Sequence, residues 1–85
     1  MHIIFHGNFK KQYRKLTENE KQKCNKRLII FEKNPFHPLL NNHKLHGKLK
    51  NYRSININSD LRAIYEIIGD DIQFIFIGTH SELYD

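Results

Sequence analysis

From Tyr52 to Ile77 the chain is three apolar runs cut by two turn signals, a pattern that leaves room for little but a small antiparallel meander. Tyr52 to Asn58 alternates, with Ile55 and Ile57 on one face and Ser54, Asn56 and Asn58 on the other. That is the period of a strand with one buried side. Asn58-Ser59-Asp60 is a turn, Leu61 to Ile68 a second strand, Gly69-Asp70-Asp71 a hairpin turn, and Ile72 to Ile77 a third strand.

The first half reads differently. His2 to His6 is a short apolar strand, broken by Gly7 and Asn8. Phe9, Tyr13 and Leu16 recur at helical spacing and predict a first helix to about Leu16. Thr17 followed by Glu20 matches a capping box, so a second helix starts there. Cys24, Leu28 and Phe31 form its buried stripe, and Lys21, Lys23, Lys26 and Arg27 its wet side. Asn34-Pro35 ends it, because proline disfavours helix in the residue before it. Phe36 to Lys50 reads as an ordered loop. The expected fold is α+β: two N-terminal helices packed on a small, twisted, mostly antiparallel sheet. At 85 residues the expectation is one domain, 1–85, of modest stability without a partner.

Charge is divided along the chain. Residues 1–53 hold 13 of the 14 Lys and Arg against Glu18, Glu20 and Glu32; residues 54–85 hold Arg62 alone against six acidic residues. A basic half suits a polyanion such as RNA, DNA or the ribosome, and equally suits a solvated helical face. Cys24 is the only cysteine, so no internal disulfide is available and a reducing, cytoplasmic setting is expected. No signal peptide and no run of transmembrane length is read in the sequence, and no membrane partner is expected.

Three phrases in the second half carry a resemblance. They are His43-Lys44-Leu45-His46-Gly47, the stretch Tyr52-Arg53-Ser54-Ile55-Asn56-Ile57-Asn58-Ser59-Asp60-Leu61-Arg62-Ala63-Ile64-Tyr65, and Gly78-Thr79-His80-Ser81-Glu82-Leu83-Tyr84. Read together they resemble the RelE/YafQ superfamily of bacterial toxins over about Phe9 to Tyr84; the helices match only in pattern. The resemblance implies a RelE-like fold and the toxin of a type II toxin–antitoxin pair. It further implies a small endoribonuclease that cuts messenger RNA, usually on the ribosome, and is blocked by a cognate antitoxin. Operator DNA would be met only through the antitoxin complex.

RNA can be cut without metal or cofactor, because its own 2′-hydroxyl attacks the adjacent phosphate. The catalyst supplies a base, an acid, and positive charge or donors on the phosphate oxygens. The resemblance makes His80 a principal catalytic residue and His43 an active-site histidine in an H-x-L-x-G context. It also makes Asp60 an active-site carboxylate and Arg62 a phosphate contact. Each has a plain alternative: a strand-end cap for His80, an exposed loop histidine for His43, a turn former for Asp60, and an ion pair with Glu66 or Asp60 for Arg62. Where the family carries a further active-site histidine, this chain has Asn56, which can donate to phosphate but cannot exchange a proton near pH 7. His46 is a further candidate for that share. Tyr84 is a stacking platform for a base or a plug over the sheet. Arg53, Lys44, Lys48 and Lys50 flank the proposed site as phosphate contacts, and Lys10, Lys11, Arg14 and Lys15 on the first helix suit ribosomal RNA or solvent equally. His37, His43 and His46 lack the spacing context of a zinc site, so neither metal nor cofactor is expected.

Two rival functions stand beside the nuclease. ParE-like relatives keep the fold and inhibit DNA gyrase, and a basic domain can occupy RNA or the ribosome without cutting it.

Overall fold

The protein is described over residues 2–84 by a computed structural model. It begins with a three-residue strand, Ile3–Phe5 (β1), followed by helices Gly7–Arg14 (α1) and Glu18–Lys33 (α2). A short strand, His43–Lys44 (β2), precedes the meander of Tyr52–Asn56 (β3), Leu61–Ile68 (β4) and Asp71–Thr79 (β5). Helix His80–Tyr84 (α3) follows at once. The five strands form one sheet in the order β1-β5-β4-β3-β2, antiparallel except for the outer pair β1–β5. This is the expected α+β arrangement.

Helix α2 starts where its capping box lies. Thr17 Oγ1 accepts from the Glu20 amide (3.2 Å) and Glu20 Oε1 accepts from the Thr17 amide (2.9 Å). Helix α1 stops at Arg14, short of Leu16, because the Lys15 and Leu16 amides turn to the Gln12 and Tyr13 carbonyls in tighter i→i−3 bonds. The buried stripe of α2 is led by Cys24 and Phe31, both with no exposed surface. Phe31 meets Tyr65 and Phe74 edge-on, at 5.0 and 5.2 Å between ring centroids. Phe5 and Phe9 extend the aromatic cluster toward α1. Burial pushes the Cys24 thiol up to about 12, so it stays neutral in this core.

β1 ends at Phe5, opposite Phe74, and leaves the rest of β5 without a strand neighbour on that side. Helix α1 takes over. Asn8 Nδ2 donates to the Ile75 carbonyl (2.9 Å), and Gln12 Oε1 accepts from the Ile77 amide (2.8 Å). Two amide side chains thus satisfy a sheet edge that would otherwise be buried unpaired. Opposite this point Ile64 pairs with Phe76 and Tyr65 with Phe74, so Ile75 is an extra residue, a bulge that bends β5.

The loop expected over 36–50 is more structured than the sequence suggested. It holds 3₁₀ turns at Pro38–Leu40 and Gly47–Leu49 and the two residues of β2. The alternation read in β3 also needs correction. Ser54 is as fully buried as Ile55, because its own face carries Ile64 beside it in register, 1% exposed. β3 has apolar cover on both sides there, which a short window of sequence cannot reveal.

Candidate functional site

Strand register decides which candidates share a surface. Ile55, Ala63, Tyr65, Phe74 and Ile77 belong to the core under α1 and α2. Side chains one residue along point the other way. That other face carries two cross-strand rows, His43–Ser54–Ile64–Phe76 and Asn56–Arg62–Gly78. His43, Asn56 and Arg62 are therefore brought onto one face, with His80 just beyond Gly78 at its end. The backbones of β2 and β5 lie three strand spacings apart, about 14 Å. His43 and His80 thus flank the rows rather than sitting side by side on neighbouring strands.

His43 is exposed, and its Nδ1 lies 2.8 Å from the Asn41 carbonyl. A carbonyl only accepts, so the ring donates from Nδ1 and the neutral imidazole keeps the Nε2 lone pair free of that bond. Asn41 can present its carbonyl this way because it takes a left-handed conformation, φ 45°, at the end of the Pro38–Leu40 turn.

Asp60 and His80 meet through backbone. The His80 amide donates to the Asp60 carbonyl (3.2 Å) and ties the start of α3 to the β3–β4 turn. That turn is built by Asn58, whose Oδ1 accepts from the amides of Asp60 (2.9 Å) and Leu61 (2.7 Å). Arg62 fastens it from the other side. Its guanidinium donates to the carbonyls of Asn58 (2.8 Å), Leu61 (3.1 Å) and Ser59 (3.2 Å). Neither Glu66 nor Asp60 takes part in these bonds; the positive charge is held at the turn beside Asp60 by backbone oxygens.

His80 is the first residue of a helix and not a bare strand exit. Thr79 caps α3: its Oγ1 accepts from the Glu82 amide (3.2 Å), and Glu82 Oε1 accepts from the Thr79 amide (2.9 Å). Donation to the Glu82 carboxyl by Thr79, first from its amide and then from its hydroxyl, holds that carboxyl below its ordinary 4.5. The helix folds back over Gly78, where an added Cβ would sit 3.4 Å from Leu83 Cδ2. Tyr84 closes α3, but its side chain lies outside the described residues.

The remaining candidates separate. His46 and Lys44 are exposed, His46 capping the Gly47–Leu49 turn through backbone alone. Lys48 and Lys50 are exposed in and after that turn. Lys44, opposite Arg53 in register, is not brought to the histidine face, and neither is Arg53. Its Nε donates to Asn42 Oδ1 (2.8 Å), and its guanidinium lies 5.3 Å from the Phe36 ring centroid. Asn56 is half-buried, and its Oδ1 is enclosed without a hydrogen-bond partner. Among the described residues, no group of three or more His, Cys, Asp or Glu is arranged to hold a metal ion. No helix among them is long and apolar enough to cross a membrane.

Two features went unread in the sequence. The Thr79-x-x-Glu82 spacing repeats the capping box recognised at Thr17, and it would have announced α3. Asn42, which joins Arg53 to Tyr65, carried no local signal at all.

A helix pair on a five-stranded sheet, with His43, Asn56 and Arg62 on the far face, is the arrangement expected of a small toxin of a type II toxin–antitoxin system. The family described as "Bacterial toxin of type II toxin-antitoxin system, YafQ" matches residues 1–85, and the chain belongs to that family. Solved structures agree. A copper-bound mutant toxin from Helicobacter pylori is 28% identical and superposes with a TM-score of 0.82, over 99% of each chain. YafQ from E. coli strain BL21(DE3) shares the fold at 23% identity and a TM-score of 0.83, over 98% of this chain and 97% of its own. The E. coli DinJ-YafQ complex gives 25% identity and a TM-score of 0.71, over 98% and 97%. Among curated proteins, none matches the chain.

Proposed function

We propose that this toxin is a metal-independent endoribonuclease that cuts messenger RNA, on the ribosome, through the 2′-hydroxyl of the RNA itself. The observation that carries the reading is the fixed ring of His43, with Nδ1 donating to Asn41 and Nε2 left as acceptor, on the same face as Arg62. An imidazole so arranged is a ready base.

In the proposed reaction His43 Nε2 takes the 2′-hydroxyl proton, and the 2′-oxygen forms a bond to phosphorus. The bond from phosphorus to the 5′-oxygen breaks as His80, protonated, donates to that oxygen. The products are a 2′,3′-cyclic phosphate and a 5′-hydroxyl. Arg62 offsets the charge that grows on the phosphate oxygens, and Asn56 and His46 contribute donors. Asp60, whose backbone carbonyl accepts from the His80 amide, is the active-site carboxylate of this reading. Tyr84 stacks on a base. The net charge of +5 favours encounter with RNA and ribosome, the more so at low salt.

The partner that restrains the activity is a cognate antitoxin, by analogy with the DinJ-YafQ complex. Operator DNA is contacted only through that complex, and the setting is the cytoplasm.

Primer extension on message from cells after brief induction of the toxin, beside His80→Ala, tests this. New 5′ ends in register with codons, absent in the variant, support the nuclease. Intact message with growth arrest refutes it, and blocked DNA supercoiling would then move the function to gyrase.

A further inference from the structure

We propose that Asn42 is the positioning residue of the site: it fixes the backbone that holds His43 in its Nδ1–H tautomer. The inference rests on the role proposed above for His43 and names what maintains it.

β2 is only two residues long, and its ladder consists of His43 opposite Ser54 and Lys44 opposite Arg53. So short an edge strand is weak support for a side chain that must be held still. The support comes from the residue before it. Asn42 Nδ2 donates to the Pro35 carbonyl (2.9 Å) and to the Tyr65 hydroxyl (2.7 Å), while its Oδ1 accepts from Arg53 Nε (2.8 Å). One amide thus joins the far end of the 35–41 loop, strand β3 and strand β4. The Tyr65 anchor is firm: it is 2% exposed between Phe31 and Phe74. Arg53 lies over the Phe36 ring, 5.3 Å from its centroid.

Asn42 lies between the two residues that make the histidine's own bond. Asn41 supplies the carbonyl, His43 the ring. Pinning the residue between them fixes the carbonyl relative to the strand, and so fixes which ring nitrogen carries the proton. Only an amide fits all three partners, since it offers donors and an acceptor at once. Aspartate keeps the bond to Arg53 and can accept from the Tyr65 hydroxyl, but gives up the donor to Pro35.

The test is ¹⁵N NMR of the His43 ring at high pH, together with single-turnover cleavage, on wild type, Asn42→Ala, Asn42→Asp and Tyr65→Phe. The wild type should show one dominant tautomer, protonated at Nδ1. Asn42→Ala should show averaged ring shifts and a cleavage rate lower by tenfold to about a hundredfold at unchanged KM. Asn42→Asp should fall between. Tyr65→Phe removes a single hydroxyl and keeps the ring packing, so it serves if Asn42→Ala does not fold; it should lean the same way. An unchanged His43 tautomer in the variants that fold overturns the proposal, since a purely structural latch would lower the melting temperature and leave the ring alone. If wild type cuts no RNA, the nuclease reading fails, and the ring shifts still decide the role of Asn42.

Discussion

The two faces of the sheet are built on opposite terms. The face under α1 and α2 is closed and aromatic: Phe9, Phe31, Tyr65 and Phe74 are at most 3% exposed and touch one another. The opposite face is polar at its rim. His43 and His80 are exposed there, and its fixed points are hydrogen bonds to backbone carbonyls. Apolar packing holds the first face without regard to protonation or salt. The second depends on the direction of individual lone pairs. Changes on the first should therefore act on stability, and changes on the second on chemistry.

The largest effect tests the closed face. Phe31→Ala removes a ring packed edge-on against two others and should cost about 3–5 kcal/mol. A domain of this class holds about 5–15 kcal/mol in total, so much of the protein should unfold in mild urea. Any molecules that stay folded should cut at the wild-type rate. A loss of rate beyond the unfolded fraction would break the separation between the faces.

On the other face, His80→Ala should lower single-turnover cleavage by about 10²–10⁴-fold, the range for removing a general acid. Its urea midpoint should move far less than that of Phe31→Ala, because the residue is exposed. Arg62→Ala lies between the two cases. It removes three bonds to the carbonyls of one turn, so it should cost about 2 kcal/mol and slow cleavage together. If Arg62→Ala moves only one of the two, the guanidinium serves the turn or the phosphate alone.

A pair of smaller changes asks the same question with one chemical edit. Thr17→Ala and Thr79→Ala each delete a capping hydroxyl. The first heads sixteen residues of α2 and should cost about 1 kcal/mol of global stability. The second heads five residues of α3 and should leave the melting curve in place while lowering the cleavage rate.

These two caps also show where the sequence is legible. The helix pair and the three-strand meander were readable because each depends on local spacing: apolar residues three and four apart, alternation, and turn formers. Strand β4 has the predicted bounds, Leu61–Ile68. What went unread depends on partners distant in sequence. Ser54 reads as wet until Ile64 is set beside it. Arg53 reads as a phosphate contact until Asn42 claims its Nε. β2 is strand only because β3 lies beside it. Helix α3 is the exception, since its capping box is local and simply follows a strand that reads as the last element. The catalytic candidates were found by resemblance, and register then showed that His43, Asn56 and Arg62 share a face.

The smallest prediction concerns that second cap and gives it a pH dependence. The Glu82 carboxylate accepts from the Thr79 amide, which holds its pKa below the ordinary 4.5. A lowered carboxyl stabilises the fold above its unfolded value and ceases to do so as pH falls through the lower, folded one. Acid should therefore loosen α3 before the core, whose packing contains no carboxylate among its buried residues. The Thr79 amide resonance should move toward its unfolded position below pH 4.5 while the ring signals of Phe31 and Phe74 hold still. Glu82→Gln keeps an acceptor oxygen without the titration, and should abolish the shift while preserving the helix. If the aromatic signals move together with Thr79, the two faces are one cooperative unit, and the division of labour between them does not extend to acid.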